Sequence, residues 1–360
     1  MNLTPRPASL PELVTGVRKT LSMWLDRKRG LSRGTAGFGM VLDRHVPILY
    51  SSCVDGAPLG IAHSAGSYRH AVILVFFAWS AEDAWSVKRT RRAAIQHRRA
   101  NPGHRLVFLC NSAREAELLC ESGEIAIHLN HNAFVSEFTF RPLAAVPPAY
   151  DAVYNARLAP FKRHALSLEV ESCAFIYYQS GSETDAFDAA LRERHARLAP
   201  GHVFVNRLEG GKPVRLTADE VNAVYNQASV GLCLSAIEGA MFSSMEYMLA
   251  GLPIVSTPSL GGRDTYFDDD YCIVAPADPR EIRDAVAALK ARAIPRDFIA
   301  QRALEKVARD RDRLTALLDA LRERDGRSLP PREALFGPGP RVGWRPWSEF
   351  LEQLPPPAED

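Results

Sequence analysis

The sequence predicts an α/β protein built from two tandem, Rossmann-like, doubly wound parallel-sheet domains. Apolar, strand-like runs alternate with helical patterns in the first half of the chain, and the alternation returns more cleanly in the second half. A proline-containing stretch, Pro142–Ala149, separates the halves. Alternation of this kind is typical of a parallel sheet covered by helices, so each half is expected to form one such domain.

The first half opens with an unusual segment and then shows the alternation. Residues 1–30 are expected to form a basic helical arm, because Pro11–Arg29 has apolar residues close to helical spacing. The glycines Gly34, Gly37 and Gly39 follow no clear strand, so we interpret them as a plain turn and not as a phosphate cradle. Strands are expected at Pro47–Ser51, His70–Ala78, Arg105–Cys110 and Ile125–Leu129, and helices at Glu82–Ala100 and Ala113–Glu121.

The second half repeats the pattern and then changes character. Strands are expected near Ala152–Asn155, Ala174–Tyr178, His202–Asn206, Val230–Leu234, Pro253–Ser256 and Cys272–Val274. Thr217 and Glu220 form a capping box that opens a helix ending at Asn226. Near the end of the chain, Trp344–Leu354 is expected to form a short helix with one apolar face. The chain is thus divided into an arm (1–30), an N-terminal domain (31–145), a C-terminal domain (146–325) and a tail (326–360).

The composition excludes several classes of protein. With 46% apolar and 24% charged residues among 360, the chain can bury a core, which excludes a mainly disordered or a small disulfide-dense protein. The longest apolar run, Ala71–Trp79, has nine residues, whereas a helix needs about 20 to span a bilayer. No two of the six cysteines stand at CxxC spacing. We interpret them as core thiols and predict a reducing, cytoplasmic location.

Charge is unevenly distributed, although the net charge is only +2. Residues 1–145 hold 18 Lys and Arg against 11 Asp and Glu, and residues 146–360 hold 26 against 31. Many of the cations lie on the predicted helix Glu82–Ala100. We interpret them as a solvated face, or as one that touches an anionic membrane or acceptor. No groove-reading or aromatic-interleaved basic motif supports a nucleic-acid partner.

Charged and glycine-rich segments follow three predicted strands of the second half. In chain order their main members are Arg157 and Lys162, then Ser235, Glu238 and Glu246, then Gly261 and Gly262. In an open parallel sheet, ligands bind outside the carboxyl ends of the strands. We therefore expect the three segments to line one crevice.

The residue types in this crevice point to one chemistry. Arg157 and Lys162 can neutralise a diphosphate, the first through its planar fork and the second as a point charge. Gly239–Phe242 lead into a helix N-terminus, which favours anions. Glu246, expected in the first turn of that helix, can accept hydrogen bonds from a ribose diol, and Glu238 can reach sugar hydroxyls. Together they describe a site for a nucleotide diphospho-sugar.

Each element also has a purely structural interpretation. Ser243 and Glu246 fit a capping box. Arg157 and Lys162 fit surface charges, and the Gly261-Gly262 pair fits a plain turn. The occurrence of all of them at successive strand ends favours a site over coincidence.

Three segments resemble GT-B glycosyltransferases of the retaining, family-4 type (glycosyl transferases group 1). IEGAMFSSMEYMLAGLPIVSTPSLGGRD resembles the donor-site signature, NARLAPFKRHALSLEV the Arg-Leu-x-Pro-x-Lys turn, and LNHNAFVSEFTFRP the stretch that closes the first domain. The resemblance is specific over residues 150–290, extends back to about 105 and is poor over 1–100. It implies a deep cleft between two Rossmann-like domains, and a last helix that crosses back to the N-terminal domain.

The resemblance also implies a role for each site residue. Arg157 and Lys162 would bind the donor phosphates and stabilise the leaving diphosphate, and Glu238 would contact the transferred sugar. These three would be the catalytic residues. The donor-binding residues would be Ser235, Gly239, Ala240, Met241, Phe242, Glu246, Gly261 and Gly262. No protein nucleophile would be needed, because in such enzymes the leaving phosphate is thought to help deprotonate the acceptor.

The chain departs from the family pattern at its start, where a basic arm and a looser glycine cluster replace a strand and a Gly-Gly loop, and at Arg263-Asp264, where many relatives carry a glutamate. No Asp-x-Asp motif follows a strand, and Asp268–Asp270 is a contiguous run in an expected loop, so no metal or other cofactor is expected. Many relatives carry a histidine after an early strand, where this chain has Ala78-Trp79-Ser80. His63, His128 and His131 remain as candidates, each with a structural alternative.

The leading hypothesis is a retaining, hexosyltransferase-like enzyme. It would move a sugar from a nucleotide diphospho-sugar to a glycan, lipid-linked or other hydroxyl acceptor. Arginine- and alanine-rich usage is associated with bacteria, where such enzymes build cell-surface polysaccharides and glycoconjugates. The alternatives are a nucleotide-sugar 2-epimerase and a degenerate, non-catalytic nucleotide-sugar-binding module. The basic first half predicts peripheral contact with an anionic membrane, at its inner face.

Overall fold

The computed structural model describes most of the chain between residues 69 and 323. The described residues are 36–43, 48–53, 69–144, 146–178, 185–323, 335–338, 343–346 and 352. The predicted arm at 1–30, together with Gly34 and His63, lies outside them. Among the helices of these segments, none is long and apolar enough to cross a membrane.

Strands and helices alternate over the greater part of the described chain. The strands are β1 (Ala36–Asp43), β2 (Ile48–Cys53), β3 (Ala71–Phe77), β4 (His104–Cys110), β5 (Ala126–His128), β6 (Tyr150–Asn155), β7 (Cys173–Ile176), β8 (His202–Phe204), β9 (Leu208–Glu209), β10 (Lys212–Pro213), β11 (Ala228–Cys233), β12 (Ile254–Ser256), β13 (Cys272–Val274) and β14 (Gly343–Pro346). The helices are α1 (Ala84–Ala100), α2 (Ala113–Glu121), α3 (Asp185–Leu198), α4 (Ala218–Asn226), α5 (Phe242–Leu249), α6 (Pro279–Arg292) and α7 (Arg296–Glu323).

The chain divides into two compact units. One contains the described residues up to Val75, Arg92–Leu106 and the described residues from Gly343 onward, and the other contains Phe76–Arg91 and Val107–Arg341. In the first unit, β1 pairs antiparallel with both β2 and β14. The predicted domain bounds, 31–145 and 146–325, stay a prediction.

The first unit corrects three expectations. The strand expected at Pro47–Ser51 is present as β2, but it pairs antiparallel with β1; only four residues separate β1 from β2, which suits a hairpin and is too short for a parallel crossover. The turn expected at the glycine cluster is wrong, because Gly37 and Gly39 lie inside β1. The helix expected from Trp344 is wrong at its start, because residues 343–346 form β14.

The second unit confirms the doubly wound pattern of the second half. Six of its strands form one sheet in the order β13-β12-β11-β6-β7-β8, and every neighbouring pair is parallel. The core between this sheet and its helices is fully buried and includes Tyr154, Phe175, Leu232 and Tyr247. A Cβ atom at Gly231 would stand 2.5 Å from the Tyr247 ring, so the glycine in β11 lets helix α5 pack closely on the sheet.

Local signals explain where two helices begin. The capping box predicted at Thr217 and Glu220 is present, with each side chain bonded to the other residue's backbone N–H, and it opens α4. Asp278 caps α6 by accepting hydrogen bonds from the N–H groups of Arg280 and Glu281, and Pro279 occupies the first helical position. Both helices pack beside the strands that carry the site.

Candidate functional site

The three predicted site segments follow three adjacent strands. β12, β11 and β6 are consecutive in the parallel sheet of the second unit, and their carboxyl ends therefore meet at one edge. An isolated parallel bridge between Ile237 and Leu260 joins the segments that follow β11 and β12. The structure thus brings the predicted residues to one side of one sheet.

The predicted catalytic carboxylate and lysine meet directly. Lys162 Nζ forms a salt bridge with Glu238 Oε1, and the two side chains are only 11% and 7% exposed. Ser235 Oγ donates a hydrogen bond to the same oxygen of Glu238. The Tyr154 hydroxyl donates to the Lys162 carbonyl at 2.7 Å and holds the 3₁₀ helix Pro160–Lys162 against the sheet. Each group of the pair therefore neutralises the other.

Arg157 lies on an aromatic ring beside this pair. Its guanidinium carbon stands 5.1 Å from the centroid of the Phe161 ring, and Lys162 Nζ stands 5.4 Å from it. A ring face attracts cations through its quadrupole. Phe161 therefore holds two cations side by side, an arrangement suited to the several negative oxygens of a diphosphate.

Two further arginines build the site and were missed by the sequence reasoning. Arg163, in the left-handed conformation at φ 53°, donates to the Leu234 carbonyl and the Thr257 hydroxyl, both at 2.6 Å. Arg263 is fully buried and donates to the carbonyls of Cys233 and Ser235 at 3.0 and 2.8 Å. These contacts tie the ends of β11 and β12 together. Nothing in the sequence separates such arginines from surface charges.

The predicted glycines lie where backbone approaches backbone. A Cβ atom at Gly239 would stand 3.1 Å from the Ala78 carbonyl, and one at Gly262 would stand 2.2 Å from the Asn111 carbonyl. Gly261 has φ +96°, and a Cβ atom there would stand 1.8 Å from the Glu238 carbonyl oxygen. The Gly261-Gly262 pair is therefore a close-contact loop that fixes the backbone carrying Glu238.

The loop before α5 adopts an uncommon conformation. Met241 is buried and left-handed, with φ 54° and ψ 86°, and α5 begins at Phe242 without a side-chain cap. Asn132 Nδ2 donates to the carbonyl of Ala240, a fully buried residue, at 2.7 Å. A non-glycine residue in this region persists only when its surroundings impose it, and such positions cluster at functional sites.

Ser243 and Glu246 do not form the capping box considered above. Because α5 begins at Phe242, Glu246 lies in its second turn, and Ser243 Oγ donates to the Asn155 carbonyl at 3.3 Å. Glu246 Oε2 accepts a hydrogen bond from the Tyr225 hydroxyl at 2.6 Å. Burial raises the pKa of Glu246 to about 7, against the smaller opposing effect of Tyr225. This carboxyl is thus poised to exchange a proton near neutral pH.

Two of the three histidine candidates, His128 and His131, lie in the described part of the chain. His131 packs against the rings of Phe76 and Phe242, with centroid distances of 5.2 and 4.5 Å. Burial lowers its pKa to about 3, so the imidazole is neutral at physiological pH. His128 lies at the end of β5, where its carbonyl accepts a hydrogen bond from Arg313 at 3.3 Å.

A network of buried asparagines supports the site and was also missed. Asn130 Nδ2 donates to the carbonyls of Asn111 and Gly262 at 2.8 and 2.7 Å, and Asn111 Nδ2 donates to the Phe77 carbonyl at 2.8 Å. The one signal in the sequence was a polar run, Asn130–Asn132, beside apolar neighbours. Within the described residues, no cluster of three His, Cys, Asp or Glu side chains could hold a metal ion.

Comparisons with known proteins agree with this geometry. A family model described as glycosyl transferases group 1 matches residues 171–291. The structure is similar to that of HepE from Anabaena, in complex with UDP and glucose, with a TM-score of 0.52 and 13% identity over 69% of this chain and 72% of that one. It is similar to TarM, with a TM-score of 0.50 and 13% identity over 72% and 57% of the two chains.

A further similarity is to the N-terminal domain of trehalose-6-phosphate phosphatase from Candida albicans, with a TM-score of 0.51 and 12% identity over 74% of this chain and 68% of that one. A comparison with curated proteins finds no match. At these identities, the similarity to solved structures shows the fold, which is the GT-B fold expected from the sequence.

Proposed function

We propose, from the premise that this chain is a glycosyltransferase with a group 1 domain at residues 171–291, that it is a retaining enzyme acting on a nucleotide diphospho-sugar. The sugar is transferred to a glycan, lipid-linked or other hydroxyl acceptor, in the synthesis of bacterial cell-surface polysaccharide or glycoconjugate. UDP is the first nucleotide to test, because HepE is similar in structure and its complexes contain UDP.

The buried pair of Lys162 and Glu238 is the observation that supports this proposal most directly. A carboxylate and an ammonium are costly to remove from water, yet both are placed at a sheet edge where ligands bind. Arg157 stands on the same aromatic ring as Lys162. The diphosphate of a bound donor would pair with Arg157 and Lys162. Glu238 would then be released from Lys162 and could accept hydrogen bonds from sugar hydroxyls.

The reaction requires mainly the stabilisation of charge. The bond between the sugar C1 and the diphosphate oxygen breaks, and a bond from C1 to the acceptor oxygen forms on the same face. The acceptor's proton passes to a phosphate oxygen of the leaving group. Arg157 and Lys162 stabilise the charge that develops on the departing diphosphate. Glu246, which accepts a hydrogen bond from Tyr225, accepts further hydrogen bonds from the ribose.

A thermal-shift panel with UDP, GDP, ADP, CMP, dTDP and their common sugars tests the donor site. Ligands that bind only the folded state raise the melting temperature. We expect one nucleotide class to raise it for the wild type and for Glu305→Ala, an exposed control on α7, but not for Glu246→Ala. For each protein we compare the rise in melting temperature that the ligand produces. A difference between the ligand-free melting temperatures of variant and wild type therefore does not affect the test. No shift with any nucleotide would contradict the proposal.

Product analysis separates this enzyme from its two alternatives. We expect Glu238→Gln and Arg157→Met to lower turnover at least about 100-fold, since each removes a contact to the sugar or to the leaving group. The anomeric configuration of the product, read by NMR, tests retention. Release of an epimerised free sugar would identify a 2-epimerase, and binding without any turnover would identify a non-catalytic module.

The turnover assay also tests whether the reaction is independent of a metal ion. Developing charge would be stabilised by Arg157 and Lys162 alone, so we expect EDTA to change turnover less than about twofold. A loss of activity in EDTA that Mg²⁺ or Mn²⁺ restores would contradict metal independence.

Helix α1 supports peripheral contact with an anionic membrane from the cytoplasmic side. Trp85, Lys88, Arg92 and Arg99 are exposed and fall on one face of the helix. An interfacial tryptophan with a row of cations suits anionic headgroups. We expect sedimentation with phosphatidylglycerol vesicles at low salt and release at high salt. Equal sedimentation with neutral phosphatidylcholine vesicles would contradict an electrostatic contact.

A further inference from the structure

Trp79 is a large aromatic side chain that stays exposed at the site. It follows strand β3, and 39% of its surface is accessible to solvent. Its ring meets the ring of Phe161 edge to face, with centroids 5.1 Å apart and planes at 89°. One side of the indole is therefore fixed by a neighbour while part of the ring remains uncovered.

The backbone on both sides of Trp79 is held against the glycine loops. The residue before it, Ala78, is so close to Gly239 that a Cβ atom on the glycine would stand 3.1 Å from the Ala78 carbonyl. The residue after it, Ser80, would stand 3.1 Å from a Cβ atom on Gly261. Gly239 directly follows Glu238, and Gly261 lies against the Glu238 carbonyl, so the backbone at Trp79 runs along the loop that carries this carboxylate.

Phe161 connects Trp79 to the two cations. Arg157 and Lys162 both stand over the Phe161 ring, and Lys162 is paired with Glu238. The Phe161 ring therefore contacts both cations and the exposed indole. The described residues thus place an open aromatic surface next to the group that would leave with the nucleotide.

We propose that Trp79, supported by Phe161, is a binding platform for a sugar ring. This proposal rests on the proposed function. A pyranose presents C–H groups on its faces and hydroxyls at its edge. An aromatic surface buries the C–H face, while Glu238 at the side accepts from the hydroxyls. Ligand sites of this kind are lined by apolar and aromatic side chains with a few placed polar groups. The ring can belong to the donor or to the acceptor, and the two arms below distinguish them.

The donor arm compares UDP with UDP-glucose, or the corresponding pair for the nucleotide that stabilises the protein, by calorimetric titration. We expect Trp79→Ala to weaken binding of the nucleotide sugar about fivefold to tenfold and binding of the nucleotide less than about twofold. Trp79→Phe, which keeps a ring, should recover most of the loss. Phe298→Ala is the matched control, because Phe298 is an aromatic side chain of α7 with a similar exposure, 42%.

The acceptor arm titrates free glucose into protein saturated with UDP. A loss of glucose binding in Trp79→Ala, with UDP-glucose binding unchanged, places the platform on the acceptor side. Wild-type affinities in both arms for Trp79→Ala would overturn the platform. So would an equal loss of UDP binding in a folded variant, because Trp79 would then hold the site together instead of binding a ring. Failure of the wild type to bind any nucleotide would instead contradict the proposed function, and the platform with it.

Discussion

At the residue scale, the two glutamates of the site lie in opposite environments. Glu238 is matched by the ammonium of Lys162 and the hydroxyl of Ser235. Glu246 has a single hydroxyl partner, Tyr225, and burial raises its pKa to about 7. The first carboxylate thus has an ion-pair partner, whereas burial of the second opposes its ionisation.

The raised pKa of Glu246 predicts a pH-dependent stability. A carboxyl whose folded pKa exceeds its unfolded value favours the folded state fully below the unfolded pKa, and that contribution is lost as pH rises through about 7. We expect Glu246→Gln, which can still accept from Tyr225, to melt about 2–4 °C above wild type at pH 8. The difference should vanish near pH 4.5. A difference in melting temperature that is constant from pH 4.5 to 8 would contradict this assignment.

The buried pair predicts non-additive effects on stability. Lys162→Met alone leaves the Glu238 carboxylate without its cation, and Glu238→Gln alone leaves the Lys162 ammonium without its anion. Each single change should lower the free energy of unfolding by about 3 kcal/mol, and the double variant should recover about 2 kcal/mol of the summed loss. Urea denaturation of the wild type, the two single variants and the double variant measures these free energies of unfolding. Simple additivity would mean that the groups do not interact in solution.

At the element scale, the sequence predicted the strands but not the backbone conformation at the start of the helix that follows the site loop. Apolar runs predicted the strands of the parallel sheet to within about two residues at most ends, because inner strands such as β7, β11 and β12 are buried almost throughout. The start of α5 was mispredicted, since Ser243 bonds to Asn155 and the left-handed Met241 precedes the helix. Tertiary contacts decide both features, and they leave no local pattern.

The loop at Gly261 is an element whose conformation can be tested. Gly261 has a positive φ, which is strained for alanine, and an alanine Cβ atom would stand 1.8 Å from the Glu238 carbonyl oxygen. We expect Gly261→Ala to lose about 2 kcal/mol or more of stability and to lose nucleotide-sugar binding. Gly210→Ala is the control, because Gly210 has φ +58° with nothing within 4 Å of its Cβ position.

The control should lose only about 1 kcal/mol and keep full binding. If the two variants had equal stabilities and equal affinities for the nucleotide sugar, the close approach of Gly261 to Glu238 would not be needed for binding.

At the scale of the whole molecule, long-range pairing limited what could be predicted. The fold of the second half could be predicted because its consecutive strands and helices form parallel crossovers. In the first unit, β1 pairs with β2 close by in sequence and with β14, some 300 residues later. A partner that distant leaves no periodic signal near β1. The Glu238 and Glu246 segment, by contrast, combined a strand end, a helix start and two acids in one short stretch.

The division into two units predicts where a nucleotide protects the chain. Every predicted catalytic and donor-binding residue, from Arg157 to Gly262, belongs to the unit formed by Phe76–Arg91 and Val107–Arg341. Binding there slows local opening of the segments it contacts. We expect hydrogen exchange with UDP, or the nucleotide found by the thermal panel, to slow in peptides covering 155–163, 235–246 and 257–263.

Peptides from β1 and β2 should exchange at unchanged rates, because none of the predicted donor-site residues belongs to the other unit. The same protection should disappear in Glu246→Ala, which keeps both units but removes the expected ribose contact. Protection of β1 or β2 by the nucleotide alone would show that the first unit supplies part of the donor site. Since those strands replace the parallel start expected from the sequence, that result would assign them a direct part in binding.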